Sequence, residues 1–533
     1  MNHIYRLVWN KKRNMLVAVA ETASAHGKDA SGETTAGAAG AGGGAVVLGA
    51  RTLMAAALCA LFPLAAVAQE IVHQIPASTQ ESLYDGDGSN AAAANWKLRN
   101  DGVLDIGGTD AGTQLLTLSG SGTVLLGDRL LTLTSARGDN EGFYLGTLQG
   151  SGGLAIDGGY EILGGANTYL GSTTVASGAT LALSGSGSIA LSSGLSNDGV
   201  FDVAAVNDGA RVRSLAGSGT VLLGGQDLRL TQAAGTYAGT IDGAGGLHVA
   251  AGTEVLSGAN TYYGATTIAQ DGALVLSGSG SIAYSSGVAN NGTFDIAGTD
   301  SGAEVRSLSG SGTVLLGGQA LTLSGAYQEF TGVVDGAGVL AVNGGNQALG
   351  GSNTYTGATV IGEYGTLSLS GSGSIALSAG VDNQGVLDTT AATAATHLQS
   401  LSGSGTVVLG NQDLVLTQAG SAFDGTFAGK IEGDGGLHVA GGTEVLSGEN
   451  TYYGATTIAQ DGALVLSGSG SIAHSSGVAT NGVFDIAGTD SGAEVRSLSG
   501  SGTVLLGGQT LTLSNAQDVF AGAIHGSGGL AVS

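Results

Sequence analysis

A chain of 533 residues is long enough for several globular domains or one long repeat array. Glycine supplies 100 residues and proline only 2, while 42% are hydrophobic and 11% charged, which excludes the polar, charged composition of disorder. The net charge of −25 repels phosphate, which excludes nucleic acid as a partner and direct docking on anionic lipid.

Residues 1–68 form the first element. They hold six Lys/Arg and three acids, which leaves 10 bases against 38 acids in the rest of the chain. The apolar run 53–68 follows Arg51, contains the single cysteine, Cys59, and ends Ala66-Val67-Ala68. This is a small-x-small cleavage pattern, so cleavage is expected between Ala68 and Gln69. Loss of the run removes the only thiol, and with it any disulfide, thiolate nucleophile or cysteine metal site. No later segment approaches the roughly 18 apolar residues of a membrane-spanning helix. The leader is far longer than an ordinary signal peptide of roughly 15–30 residues. Its opening, MNHIYRLVWNKKRNMLVAVAETASAHGK, includes Met1-Asn2, Ile4-Tyr5-Arg6, Val8-Trp9-Asn10 and Val17-Ala18-Val19. That pattern resembles the extended signal peptide region of type V secretion proteins, the autotransporters and their relatives. The resemblance implies a Gram-negative exported protein whose leader meets the inner-membrane export machinery.

Residues 69–94 read as an N-terminal cap or linker. Asp85-Gly86-Asp87-Gly88-Ser89 begins like a calcium loop, but Asn90 replaces the turn glycine and Trp96 falls where the bidentate Glu belongs. No metal is expected there.

From about residue 95 onward the chain repeats itself. LSGSGTV-type copies start at Leu118, Leu215, Leu308, Leu401 and Leu498, at spacings of 97, 93, 93 and 97. NTYxG copies start at Asn167, Asn260, Asn353 and Asn450. The stretches 260–323 and 450–513 are almost identical at an offset of 190. Within a unit, runs of about four to six residues alternate in polarity and are separated by glycine turns, which predicts short strands. Such strands bury a face only when stacked as coils, so the expectation is an all-β solenoid spanning 95–533. At roughly 20–25 residues per coil, each unit of 93–97 residues is expected to form about four coils and rise roughly 19 Å. Tyr169, Tyr262, Tyr355 and Tyr452 then lie too far apart to stack, and their recurrence reads as a copied turn.

The segment GAGGLHVAAGTEVLSGANTYYGATTIAQDGALVLSG, residues 243–278, resembles the passenger-associated transport repeat, or autotransporter-associated β-strand repeat. The resemblance implies a right-handed parallel β-helix displayed outside the cell as a passenger. It also implies an outer-membrane β-barrel translocator, which is not found among these residues. A longer passenger whose catalytic or barrel portion follows residue 533 is therefore one alternative reading.

Candidate chemistry is sparse. Gly310, Gly312 and Gly317 in LSGSGTVLLGG mimic a phosphate loop, but a strand pattern follows instead of a helix, with no lysine. No G-x-S-x-G elbow is present. His248 and His438 are copies of one strand position that holds Ala155 and Ala341 in other units, which suits a tolerant surface site and not a general base. Arg137-Gly138-Asp139 is a candidate integrin-type motif, in a connection about four residues longer than its counterparts. Chance occurrence is the competing explanation. The sequence thus predicts a surface-displayed or secreted passenger, non-catalytic and cofactor-free. It reads as an adhesin or self-associating stalk whose partners are a host-cell receptor or like rods. An amyloid-like β-rich assembly is the other alternative.

Overall fold

The computed structural model describes residues 5–10, 15–20, 71–136, 142–423 and 425–533, the first two segments as backbone only. The chain divides into two units, Met1–Val67 and Ala68–Ser533. In the first, Tyr5–Asn10 and Met15–Ala20 form an antiparallel hairpin, with Tyr5 opposite Ala20 and Asn10 opposite Met15.

The second unit is a β-solenoid of about 22 turns. Its strand pairs are parallel, each coil lying in register on the one before. Stacking begins early: Ile71–Ile75 pairs with Trp96–Asn100, so residues ahead of the repeats already supply a rung. The only helix among the described residues is the short turn Ser89–Ala93. A typical coil carries three strands, such as Val288–Asn290, Thr293–Thr299 and Ala303–Val305.

Alternation decides which side chains fill the solenoid. In Thr313–Gly317, Val314 and Leu316 are fully buried while Thr313 and Leu315 sit half-exposed outside. In-register stacking places Val314 between Phe294 and Val334, so the interior is a continuous apolar column. Each such side chain contributes roughly 1.5–3 kcal/mol relative to exposure. The glycines ahead of this strand let coils approach. A Cβ on Gly310, whose φ is +101°, would sit 2.2 Å from the Asn290 carbonyl oxygen, and one on Gly312 would sit 2.3 Å from that of Gly292. LSGSGTVLLGG is therefore a coil-to-coil contact and not a phosphate loop.

The coil count differs from the sequence expectation. Starting at Leu228, one ladder runs through Leu247, Thr266, Val288 and Leu308. Leu321 is the residue one unit on from Leu228, yet it pairs with Ala303 and Leu340 on a different face. A unit therefore holds about four and two-thirds coils, not four, and rises roughly 22 Å at the usual strand spacing. Each unit ends a third of a turn short of closure. Thr173, Thr266 and Thr359 consequently lie on three different ladders, and Thr456 returns to the face of Thr173. The turns between strands are shorter than the sequence suggested: most coils take 18–22 residues, as the pairs Ala303 with Leu321, Leu340 with Thr359 and Thr359 with Val381 show.

Candidate functional site

The most repeated motif, NTYxGxT, is an internal fitting. The Asn260 side chain accepts from the Ile241 N–H at 3.0 Å and donates to the carbonyls of Gly258 and Ser281, both at 3.0 Å. It thereby completes the backbone bonding of three coils at a corner. Tyr262 is buried and its hydroxyl bonds Thr266 Oγ1 at 2.6 Å. Thr266 donates to Ser285 Oγ at 2.9 Å, and Ser285 donates to the Gly264 carbonyl at 3.0 Å. The same relay recurs at Tyr169, Tyr355 and Tyr452. Burial pushes the Tyr262 phenol well above its ordinary range, against the pull of the Thr266 hydrogen bond. A fully bonded neutral relay holds shape and offers nothing reactive.

Outward positions of the same coils are where units differ. Tyr263 and Tyr284 are 61% and 59% exposed, with ring centroids 6.0 Å apart and planes at 74°. With Arg306, Ser285 and Ser324 they line an open cleft of about 300 Å³. The duplicated block repeats the aromatic pair with Tyr453 and His474, 6.1 Å apart at 83°, and carries Arg496 at the position of Arg306. The corresponding residues of the preceding unit are Leu170, Leu191 and Arg213. Because the duplicated blocks are two units apart, the two aromatic pairs lie on different faces. An edge-on aromatic pair beside a guanidinium suits a ligand with an apolar face and an anionic or hydrogen-bonding edge.

A second outward ladder is unique to one unit. Arg211, Arg229, His248 and Thr267 stand in register on four successive coils. They line a cleft of about 370 Å³ with Asp208 and Asp227. Asp227 accepts from the Gly246 N–H at 2.7 Å. His248 Nδ1 bonds the Thr267 hydroxyl, as His438 bonds Thr457. Burial, then the nearby Arg229, lowers the His248 pKa, so the ring is held neutral. Sequence reading treated this position as merely tolerant; the unmatched Arg211 and Arg229 beneath it were the missed signal. Two acids balance the two guanidiniums, so the cleft has no strong charge preference.

The remaining candidates from the sequence are placed as follows. Ala66, Ala68 and Gln69 lie outside the described residues, as do Arg137, Gly138 and Asp139. The coil from Leu131 to its partner Leu154 spans 23 residues, like that from Leu414 to Leu437, whereas Leu228 to Leu247 spans 19. The longer connection around the Arg-Gly-Asp motif is thus visible in the ladder. The Asp85 turn spends its carboxylates locally: Asp85 accepts from Asn90 and from the Asp110 N–H, and Asp87 accepts from Ser89. Those hydrogen bonds lower both pKa values. Among the described residues, no three His, Cys, Asp or Glu gather as a metal site would require.

Residues 1–50 match the family model described as Extended Signal Peptide of Type V secretion system. With a β-solenoid in the same chain, this fits an autotransporter passenger. No curated protein and no solved structure matches the chain. The leader marks the chain for export, with surface display or secretion, and in general implies export machinery and a separate translocator.

Proposed function

We propose that the passenger is a non-catalytic presenting rod, an adhesin or a self-associating stalk. One observation carries this reading: the buried fittings recur from unit to unit, while the exposed positions of the same coils change and include the duplicated Tyr263–Tyr284–Arg306 cleft. Partners on this reading are a host-cell receptor or like rods on neighbouring cells. Bacteria displaying the full chain should attach and clump. A Tyr263→Ala, Tyr284→Ala, Arg306→Ala variant, displayed at equal level, should do both less. Unchanged attachment and clumping would overturn the reading of this cleft.

Self-association has a separate signature. Acidic rods repel one another, so clumping should rise with ionic strength as that repulsion is screened. Clumping that dissolves in added salt would contradict the stalk reading. The Arg137-Gly138-Asp139 motif supports integrin contact because it lies in one of the two longer coils of its kind. Full integrin-dependent attachment by an Asp139→Glu variant would remove that part of the proposal.

A further inference from the structure

Four equivalent positions, one per unit, place a long polar side chain inside the apolar column: Glu161, Glu254, Gln347 and Glu444, all fully buried. Gln347 shows what the site requires. Its Nε2 donates to the carbonyls of Leu308 at 3.0 Å, Gln328 at 3.0 Å and Ala348 at 2.9 Å. Its Oε1 accepts from the Leu308 N–H at 3.3 Å. The side-chain amide therefore pairs both ways with the Leu308 peptide, and most of its bonds are donations to carbonyl oxygens. A carboxylate has no donor and would set negative oxygens against those carbonyls. A protonated carboxyl keeps one donor and one acceptor, the nearest match to the amide.

We propose that Glu161 and Glu254 are built into the rod as neutral acids, so that folding of their units takes up protons and the pH of the surroundings tightens or loosens the rod. Neither carboxyl has a hydrogen bond of good geometry, and no lysine, arginine or histidine faces either one among the described residues. The elements packed against Glu161 bring Tyr144 from the coil below, Leu181 from the coil above and the Leu118 backbone. Those against Glu254 bring Tyr237 from below, Leu274 from above and the Leu215 and Gly235 backbones. Among the described residues the titratable neighbours are thus two phenols, and burial raises both, Tyr237 to about 12. Among the described residues nothing nearby compensates a buried negative charge.

Burial pushes the Glu254 carboxyl up to about 8, against the N–H groups of Gly235 and Leu215, and pushes Glu161 well above the carboxylate range. The sign follows. In the unfolded chain a Glu carboxyl titrates near 4.5, and in the folded rod Glu254 holds its proton to about 8. Between those values the folded state binds a proton that the unfolded state has lost, so stability falls as pH rises. The local opening constant grows about tenfold per pH unit for each group in that window. Below it, neither group contributes a slope. An exported rod meets the pH of its medium directly.

Two measurements on the full chain test this. Infrared difference spectra of wild type minus the Glu161→Gln, Glu254→Gln variant at pH 7 should show a protonated carboxyl band. Its absence would overturn the proposal. Hydrogen exchange followed by mass spectrometry, corrected for intrinsic rate, should show the wild-type units opening more readily from pH 5 to 8. The double variant should lose that slope while matching wild type at pH 4. The Gln347→Glu variant should introduce the slope into its own unit. An unchanged slope in the double variant would overturn the proposal as well. Since glutamine is already housed at position 347, the double variant is expected to fold.

Discussion

Tyr262 is 1% exposed and bonds Thr266 through its hydroxyl, whereas Tyr263, the next residue, is 61% exposed and meets the edge of Tyr284. The copies follow the same division. Inside, the position is Tyr169, Tyr355 and Tyr452; outside, it is Leu170, Thr356 and Tyr453. One corner of the rod thus separates a position that the solenoid needs from one that it leaves open. The inner ring closes a relay across coils, and a side chain without its hydroxyl would take one partner from Thr266 Oγ1 while leaving the Thr266–Ser285 bond in place. The outer ring makes no hydrogen bond that the fold depends on.

Substitutions on the two sides of this corner should diverge. Because repeat arrays lose structure locally, hydrogen exchange resolved by unit is the appropriate measure. The largest loss is expected from Gly310→Ala, about 4 kcal/mol or more, since a methyl group would collide with the backbone of the neighbouring coil in a left-handed conformation. Asn260→Ala strands the Ile241 N–H and takes a second bond from the Gly258 and Ser281 carbonyls, which keep their backbone partners, and should cost about 2 kcal/mol. Tyr262→Phe keeps the ring and removes one buried hydroxyl, for about 1 kcal/mol. Tyr263→Ala should change stability by less than about 0.5 kcal/mol while weakening attachment. A Tyr263→Ala rod as unstable as the Asn260→Ala rod would erase the distinction between the two sides.

Much of this was legible in the sequence. The 93 and 97 spacings gave the array, and the failed phosphate loop was recognised by the strand after Gly312; alternation gave two interleaved sets in that strand, and the structure decides for Val314 and Leu316 as core. The coil count was not legible. Spacing reports how many residues separate copies, but the face on which a copy lands depends on how many residues each turn consumes, which only the ladder reveals. Glu254 could have been found. It shares parity with Leu256 in a strand where Leu256 points inward, and its one replacement, Gln347, is its uncharged isostere. The Arg211–Arg229–His248 ladder was hidden for the opposite reason: its members are far apart in sequence and meet only through register.

The two-thirds coil left over in each unit turns copy number into direction. Inserting or deleting one unit changes the reach of the rod by roughly 22 Å, and it also swings everything beyond by a third of a revolution. The 190-residue duplication does this twice, so twin surfaces aim along different compass bearings. Three units restore the original heading. A population of such rods differing only in repeat number would face its surroundings from three sides with one set of side chains.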